Sequence, residues 1–101
     1  MQQEHINLVD LIGEVSDLPT EITLPSGEEI IEIRLSVAPT GSVKSSLDIT
    51  VREKSLMRRA RSLKVGNTIA VQGELHRRFW RSGGSVSTRL DIEADSLEKV
   101  G

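Results

Sequence analysis

Residues 69–81 are Ile-Ala-Val-Gln-Gly-Glu-Leu-His-Arg-Arg-Phe-Trp-Arg, and the two halves of this stretch differ in character. In the first half apolar and polar residues alternate with a period of two, which predicts a strand with one buried face. The second half places three arginines around Phe79 and Trp80, the only aromatic residues of the chain. Cations stabilise a phosphodiester backbone and aromatic rings accept unstacked bases, so this half predicts a groove for a single nucleic-acid strand. The alternative is a hairpin end whose aromatic rings pack on a neighbour.

The composition limits the classes to which the chain can belong. Its 101 residues and 37% hydrophobic content predict one small domain over residues 1–101, with a loose N-terminus at residues 1–5. The chain has no cysteine, which excludes a disulfide framework and a thiolate nucleophile or metal site and fits a reducing compartment. No apolar run has the length of a membrane span, and the N-terminus lacks the layout of a signal peptide. We therefore expect a cytoplasmic protein with no membrane partner.

The formal net charge of −2 conceals a segregation of charge along the chain. Residues 1–50 hold nine acidic and two basic residues, which is a net charge of −7. Residues 51–90 hold ten basic and two acidic residues, which is a net charge of +8. An asymmetry of this size predicts a local positive field that recruits a polyanion. The alternative is that folding interleaves the two halves and their charges pair.

The sequence before the opening stretch predicts strands and one helix. Residues 6–15 are apolar on both strand faces, which predicts a strand that is central or lies in an oligomer interface. After a break at residues 17–19 this first strand resumes at 21–24, and a second and a third strand follow at 30–37 and 47–51. The spacing of Leu56, Ala60 and Leu63 predicts a helix over residues 55–64. The arginines of this helix are candidates for phosphate contacts. The alternative is that they only form its solvated face.

The sequence after the opening stretch predicts the return strand of a hairpin. A turn at residues 82–85, Ser-Gly-Gly-Ser, leads into a strand over 86–94. On strand parity Leu90 and Ile92 point inward, and Asp91, Glu93 and Asp95 lie on the solvated face rather than forming a metal triad.

This order of elements is that of the OB-fold, an all-β, five-stranded Greek-key barrel, here with one short α-helix between strands 3 and 4. The residues also resemble the bacterial single-stranded DNA-binding protein family over nearly the whole chain. Residues 7–15, Asn-Leu-Val-Asp-Leu-Ile-Gly-Glu-Val, resemble the family's opening strand, and Pro-Ser-Gly at 25–27 resembles its first hairpin turn. Residues 63–75 resemble its helix end and fourth strand. Arg78-Phe79-Trp80 lies where the family has Arg-x-aromatic, whose tryptophan stacks on bases.

The chain departs from this family at three positions. It has Arg34 in the second strand, Arg52 after the third strand and Met57 in the helix, where the family usually has aromatic residues. The resemblance therefore implies the OB-fold, a homodimer or homotetramer, and single-strand binding with fewer stacking platforms.

We thus expect a non-enzymatic protein that binds single-stranded DNA with little sequence preference in DNA replication, recombination or repair. RNA stays open as a ligand because stacking and phosphate contacts serve both nucleic acids. Two isolated histidines and no cysteine predict no catalytic centre, no metal site and no cofactor. The candidate binding residues are two aromatic residues for stacking and seven arginines for phosphates: Phe79, Trp80, Arg34, Arg52, Arg58, Arg59, Arg77, Arg78 and Arg81. The alternative function is a degenerate OB module for protein–protein assembly, with weak or no nucleic-acid binding.

Overall fold

The alternating patterns of the sequence form six strands and one helix within residues 3–100, the part of the chain that the computed structural model describes; the side chains of Trp80 and Ser82 are outside that description. The elements are β1 (Val9–Val15), β2 (Thr20–Thr23), β3 (Glu29–Val37), β4 (Ser45–Val51), α1 (Lys54–Arg61), β5 (Thr68–Ser82) and β6 (Ser85–Lys99). The helix α1, at eight residues, is too short to cross a bilayer, and the described residues contain no other helix.

Five of the strands close into a barrel in the order β1-β5-β6-β4-β3, and β3 returns to β1. Closure depends on β1, which pairs with β5 along residues 9–14 and with β3 at Glu14 and Val15. The strands β4 and β6 pair in parallel, with Ile49 opposite Ile92, whereas all other pairs are antiparallel. This is the predicted OB-fold barrel. The sixth strand, β2, pairs with the part of β3 that β1 leaves unpaired.

The predicted position of the helix needs one correction. We expected it between strands 3 and 4, but α1 lies between β4 and β5. The difference arises at residues 16–19, where the break is long enough to make β2 a separate strand that pairs with β3 rather than a continuation of β1.

The core lies inside the barrel and under α1. Alternate residues of each barrel strand point inward, and α1 adds the stripe that its helical spacing predicts. The buried apolar cluster consists of Val15, Ile31, Ile33, Leu35, Ile49, Val51, Leu56, Met57, Ala60, Leu63, Ile69, Val71, Ile92, Ala94 and Leu97.

The β5–β6 hairpin extends beyond the barrel, and two burial predictions fail there. Leu90 was expected inward, yet it is 52% exposed, because β6 before Ile92 pairs only with β5 and no core lies beneath it. Asp91 was expected to be solvated, yet it is only 3% exposed. It lies on the outer side, as its parity predicts, but other side chains cover it.

Glycines shape this hairpin at two places. At its tip Gly83 and Gly84 both have positive φ, 58° and 84°, as a two-residue type I′ turn requires. At its base Gly73 lies between β1 and β6, next to a bulge at which the pairing shifts by one residue. A Cβ atom at Gly73 would overlap the carbonyl oxygen of Glu93.

We therefore expect Gly73→Ala to lower the free energy of unfolding by about 2–3 kcal/mol, because the backbone of β6 would have to move away from an added methyl group. Urea denaturation measures the loss. The neighbouring Gln72 is exposed on the same strand, so Gln72→Ala is the matched control and should change the stability by less than about 0.5 kcal/mol. Equal stability of the parent and Gly73→Ala would contradict the close approach of the two strands.

Candidate nucleic-acid interface

The strand β5 distributes the predicted binding residues over two faces. Its pairing with β6 sets Arg77 opposite Leu90, Arg78 opposite Arg89 and Phe79 opposite Thr88, and adjacent strand residues point to opposite sides. Trp80 lies opposite Ser87 along the backbone, but its side chain is outside the described part of the structure. The predicted stacking role of Trp80 therefore stays a prediction.

One of these surfaces, the hairpin face, consists of Arg77, Phe79 and Arg81 from β5 with Val86, Thr88 and Leu90 from β6. Phe79 lies at the centre of the hairpin face and is 66% exposed. The Nη1 of Arg77 donates a hydrogen bond to Thr88 Oγ1 at 3.3 Å. Within residues 3–100, neither Arg77 nor Arg81 forms an ion pair with a carboxylate. The hairpin face thus presents an exposed ring between two cations that are open to a ligand.

The other surface, the charged face, lies on the outer side of β3, β4 and β6 and of the base of β5. Four of its side chains are arginines and five are carboxylates, namely Arg34, Arg52, Arg78, Arg89, Glu28, Glu32, Asp48, Asp91 and Glu93. Each arginine contacts at least one carboxylate.

Arg89 and Asp48 link the ion pairs of the charged face into a network. Arg89 lies between Glu32, at 2.6 Å from Nη2 to Oε2, and Asp48, at 3.5 Å from Nη1 to Oδ2. Asp48 also contacts Arg34, its pairing partner across β3 and β4, at 3.3 Å. Burial lowers the pKa of Arg89, but the hydrogen bond and charge of Glu32 and the charges of Asp48 and Asp91 outweigh this, so the pKa is raised overall.

Arg52 lies at the edge of the charged face. Its guanidinium contacts Glu28 and, through Nε at 2.9 Å, Glu93. Glu93 in turn contacts Nδ1 of His76 at 3.2 Å, and the Nε2 of His76 lies 3.1 Å from Glu74. The hydrogen bond with Glu74, assisted by the charges of Glu93, Glu74 and Asp91, raises the pKa of His76 above its ordinary value, although burial acts in the opposite direction. The charged face is therefore close to self-neutralised near neutral pH.

Arg78 has a different environment because it is tied into the wall of the barrel. Its Nε lies 2.8 Å from Oδ2 of the buried Asp91, and its Nη2 donates to Thr50 Oγ1 at 3.1 Å. The hydroxyl of Thr50 donates to the same Asp91 oxygen at 2.5 Å. These contacts join the base of the hairpin to β4. No sequence signal indicated this cluster, because the parity of Asp91 predicted that its carboxylate lies in solvent.

The two predicted arginines of the helix do not lie together. Arg58 lines a cleft of about 540 Å³ between α1 and the turn that joins β2 to β3, together with Arg52, Lys54, Arg61 and Met57. Arg59 lies elsewhere and donates a hydrogen bond to the carbonyl oxygen of Leu97 at 3.0 Å. Arg61 pairs with Glu21 at 2.9 Å.

The structure thus brings Arg77, Phe79 and Arg81 together and separates them from Arg34, Arg52 and Arg78. Across the described residues, no three His, Asp or Glu side chains are arranged to hold a metal ion.

The cluster of Thr50, Arg78 and Asp91 makes Asp91 important for stability. We expect Asp91→Asn to lower the free energy of unfolding by about 2–3 kcal/mol, because it leaves the covered guanidinium of Arg78 without its nearest counter-charge. Thermal or urea unfolding measures this. Asp95→Asn, an exposed change on the same strand, is the matched control and should have an effect of less than about 0.5 kcal/mol. An equal effect of the two changes would show that Asp91 is solvated, as its parity had predicted.

Comparisons with known proteins give one family. No curated protein matches this chain by sequence search. The barrel is similar to that of the Plasmodium falciparum SSB in its complex with ssDNA, with a TM-score of 0.81 and 21% identity over 100% of both chains. It is also similar to the mitochondrial single-stranded DNA-binding protein of S. cerevisiae, with a TM-score of 0.78 and 16% identity over 96% of this chain and 97% of that one. For the small single-stranded DNA-binding protein of Streptomyces coelicolor the TM-score is 0.72, with 22% identity over 97% and 96% of the chains.

At these identities the likeness shows the fold, and the family follows from the sequence itself. A sequence model of the single-strand binding protein family matches residues 6–100, which is nearly the whole chain. The chain belongs to the single-strand binding protein family.

Proposed function

We infer that this protein binds single-stranded DNA with little sequence preference, as a non-enzymatic component of DNA replication, recombination or repair. Family membership over residues 6–100 supports the ligand class. The observation that carries the proposal is the hairpin face, where the exposed ring of Phe79 lies between Arg77 and Arg81. A ring in this position would stack on an unpaired base while the two cations neutralise phosphates on either side of it.

The other predicted residues take graded roles in this proposal. Trp80, which the sequence predicts as the principal stacking residue, is proposed to stack on a base as well, and Arg58 and Arg59 are proposed as phosphate contacts on α1. Arg34 and Arg52 are ion-paired and would reach a phosphate only after giving up a carboxylate. Arg78 is held by Asp91 and Thr50, so we propose that it positions the hairpin. A single domain over residues 1–101 and a cytoplasmic location stay predictions.

The proposal is tested by titrating the protein with oligo-dT at several salt concentrations and following indole emission. Trp80 is the only tryptophan and the chain has no tyrosine, so a change in emission on binding arises at or near this side chain. Phe79→Ala should weaken binding by about one to two decades, because a stacked base contributes roughly 1–3 kcal/mol. Trp80→Ala should weaken binding by a similar factor in an electrophoretic shift. Arg77→Gln combined with Arg81→Gln should reduce the salt slope by about 1.4, or 0.7 for each phosphate that is no longer neutralised.

A matched control separates the hairpin face from net charge. Lys64→Gln combined with Lys99→Gln removes the same charge from exposed positions outside the hairpin face, and it should leave the slope nearly unchanged. Oligo-rU in place of oligo-dT compares RNA with DNA. A parent protein that binds neither oligomer at low salt would contradict the proposal and favour an assembly module instead. The ion-paired arginines of the charged face are the observation that supports this alternative.

We also propose that the protein is a homodimer or homotetramer. Leu8, just before β1, and Ile12 within β1 share one parity on either side of Asp10, and both are exposed although they are large and apolar. Burying such a stripe against a second copy would remove it from water.

Light scattering after size exclusion should therefore give a mass of two or four times 11.1 kDa. Ile12→Ser should shift the mass toward the monomer, because it removes apolar area from the interface. Val43→Ser, an equally apolar change at an exposed loop position, is the control and should leave the mass unchanged. A monodisperse monomer of the parent at micromolar concentration would contradict the proposal.

A further inference from the structure

We propose that the carboxylates of the charged face occupy the positions that DNA phosphates would take, so that this face inhibits itself and admits a strand only by exchange of carboxylate for phosphate. This inference rests on the proposed function and adds a regulatory contact to it.

The geometry at Arg89 supports the exchange. Its two guanidinium edges are taken by two carboxylates, those of Glu32 and Asp48, and Asp48 also holds Arg34. A guanidinium group binds carboxylate and phosphate through the same pair of N–H donors, so the two anions compete for one set of positions. Glu32 and Asp48 therefore act as built-in competitors of the DNA backbone.

The exposure of these side chains shows how a phosphate reaches the arginines. The side chains of Glu32 and Asp48 are 22% and 19% exposed, whereas those of Arg34 and Arg89 are 49% and 36% exposed. The cations thus reach solvent more than their partners do, and a phosphate approaching from solvent meets them first. Ion pairs at this level of exposure are weak enough for a competing anion to replace them.

The charge balance explains why exchange is required. The charged face sets five carboxylates against four guanidinium groups, a net charge of −1, and Glu74 beside His76 adds another acidic group. A strand that left every ion pair intact would approach a surface of its own sign. The hairpin face, whose arginines have no carboxylate partner among residues 3–100, carries no such cost.

Salt dependence gives the inference its test. A phosphate that meets an unpaired arginine releases a counterion, whereas a phosphate that displaces a carboxylate largely exchanges one ion pair for another. The arginines of the charged face should therefore contribute little to the salt slope of the parent. Removing the carboxylates should let those arginines neutralise phosphates directly and so contribute to the salt slope.

The experiment compares the parent with the variant that combines Glu32→Gln and Asp48→Asn, using oligo-dT and the emission of Trp80. We expect the variant to bind about tenfold more tightly at matched salt, with a slope steeper by about 1.4 because Arg34 and Arg89 become available. The control combines Asp95→Asn and Glu98→Gln, which removes the same charge from exposed positions that form no ion pair within the described residues. Its gain should be less than about threefold, with the slope of the parent.

Arg89→Gln identifies the group that is released. In the parent, Arg89→Gln should change the affinity for oligo-dT by less than about twofold, because the guanidinium group of Arg89 is already paired with Glu32 and Asp48. Added to the Glu32→Gln and Asp48→Asn variant, it should remove most of the gain. If that variant does not fold, Glu28→Gln combined with Glu93→Gln, which frees Arg52 from both of its partners, should steepen the slope by about 0.7 instead.

The outcomes separate this inference from the proposed function. A parent that binds oligo-dT together with a variant that matches the control would overturn the inference and leave the function standing. A parent that fails to bind and a variant that binds would support the inference in its strongest form and overturn the function of the unaltered chain. Absence of binding in both would overturn both.

Discussion

The pairing of β5 with β6 is the constraint on which the rest of the structure depends. The first half of β5 lies in the barrel wall between β1 and β6, and its second half continues with β6 alone into solvent. The register between the two strands therefore sets both the core and the candidate interface. The bulge beside Gly73 shifts this register, and from that point it sets which residues of β6 lie opposite Arg78 and Phe79.

Much of the fold could be predicted from the sequence because its signals are local. The alternation around Ile69 and Val71 and the spacing of Leu56 and Ala60 depend only on neighbours in the chain, and all four residues are buried as expected. The exposure of Leu90 could not be predicted in this way. Its parity is that of a core residue, and only the point at which β4 stops pairing with β6 leaves it outside the core.

The candidate site was harder to predict because it depends on charges that are distant in sequence. Arg89 and Glu32 are 57 positions apart, and Arg34 meets Asp48 only through the register of β3 and β4. The segregation of charge along the chain places many cations in residues 51–90. It could not indicate which of them fold against the acidic first half. On the charged face the alternative of paired charges holds, whereas the hairpin face keeps the unpaired cations that a positive field requires.

The cluster of Thr50, Arg78 and Asp91 also determines how the hairpin responds to force. It fixes the base of the hairpin to β4, and beyond it the two strands are supported only by each other. Such a structure behaves as a cantilever, in which a load at the free end is taken up by bending of the outer segment while the root keeps its alignment. A load at the tip would therefore bend residues 79–88 more than it would distort the barrel.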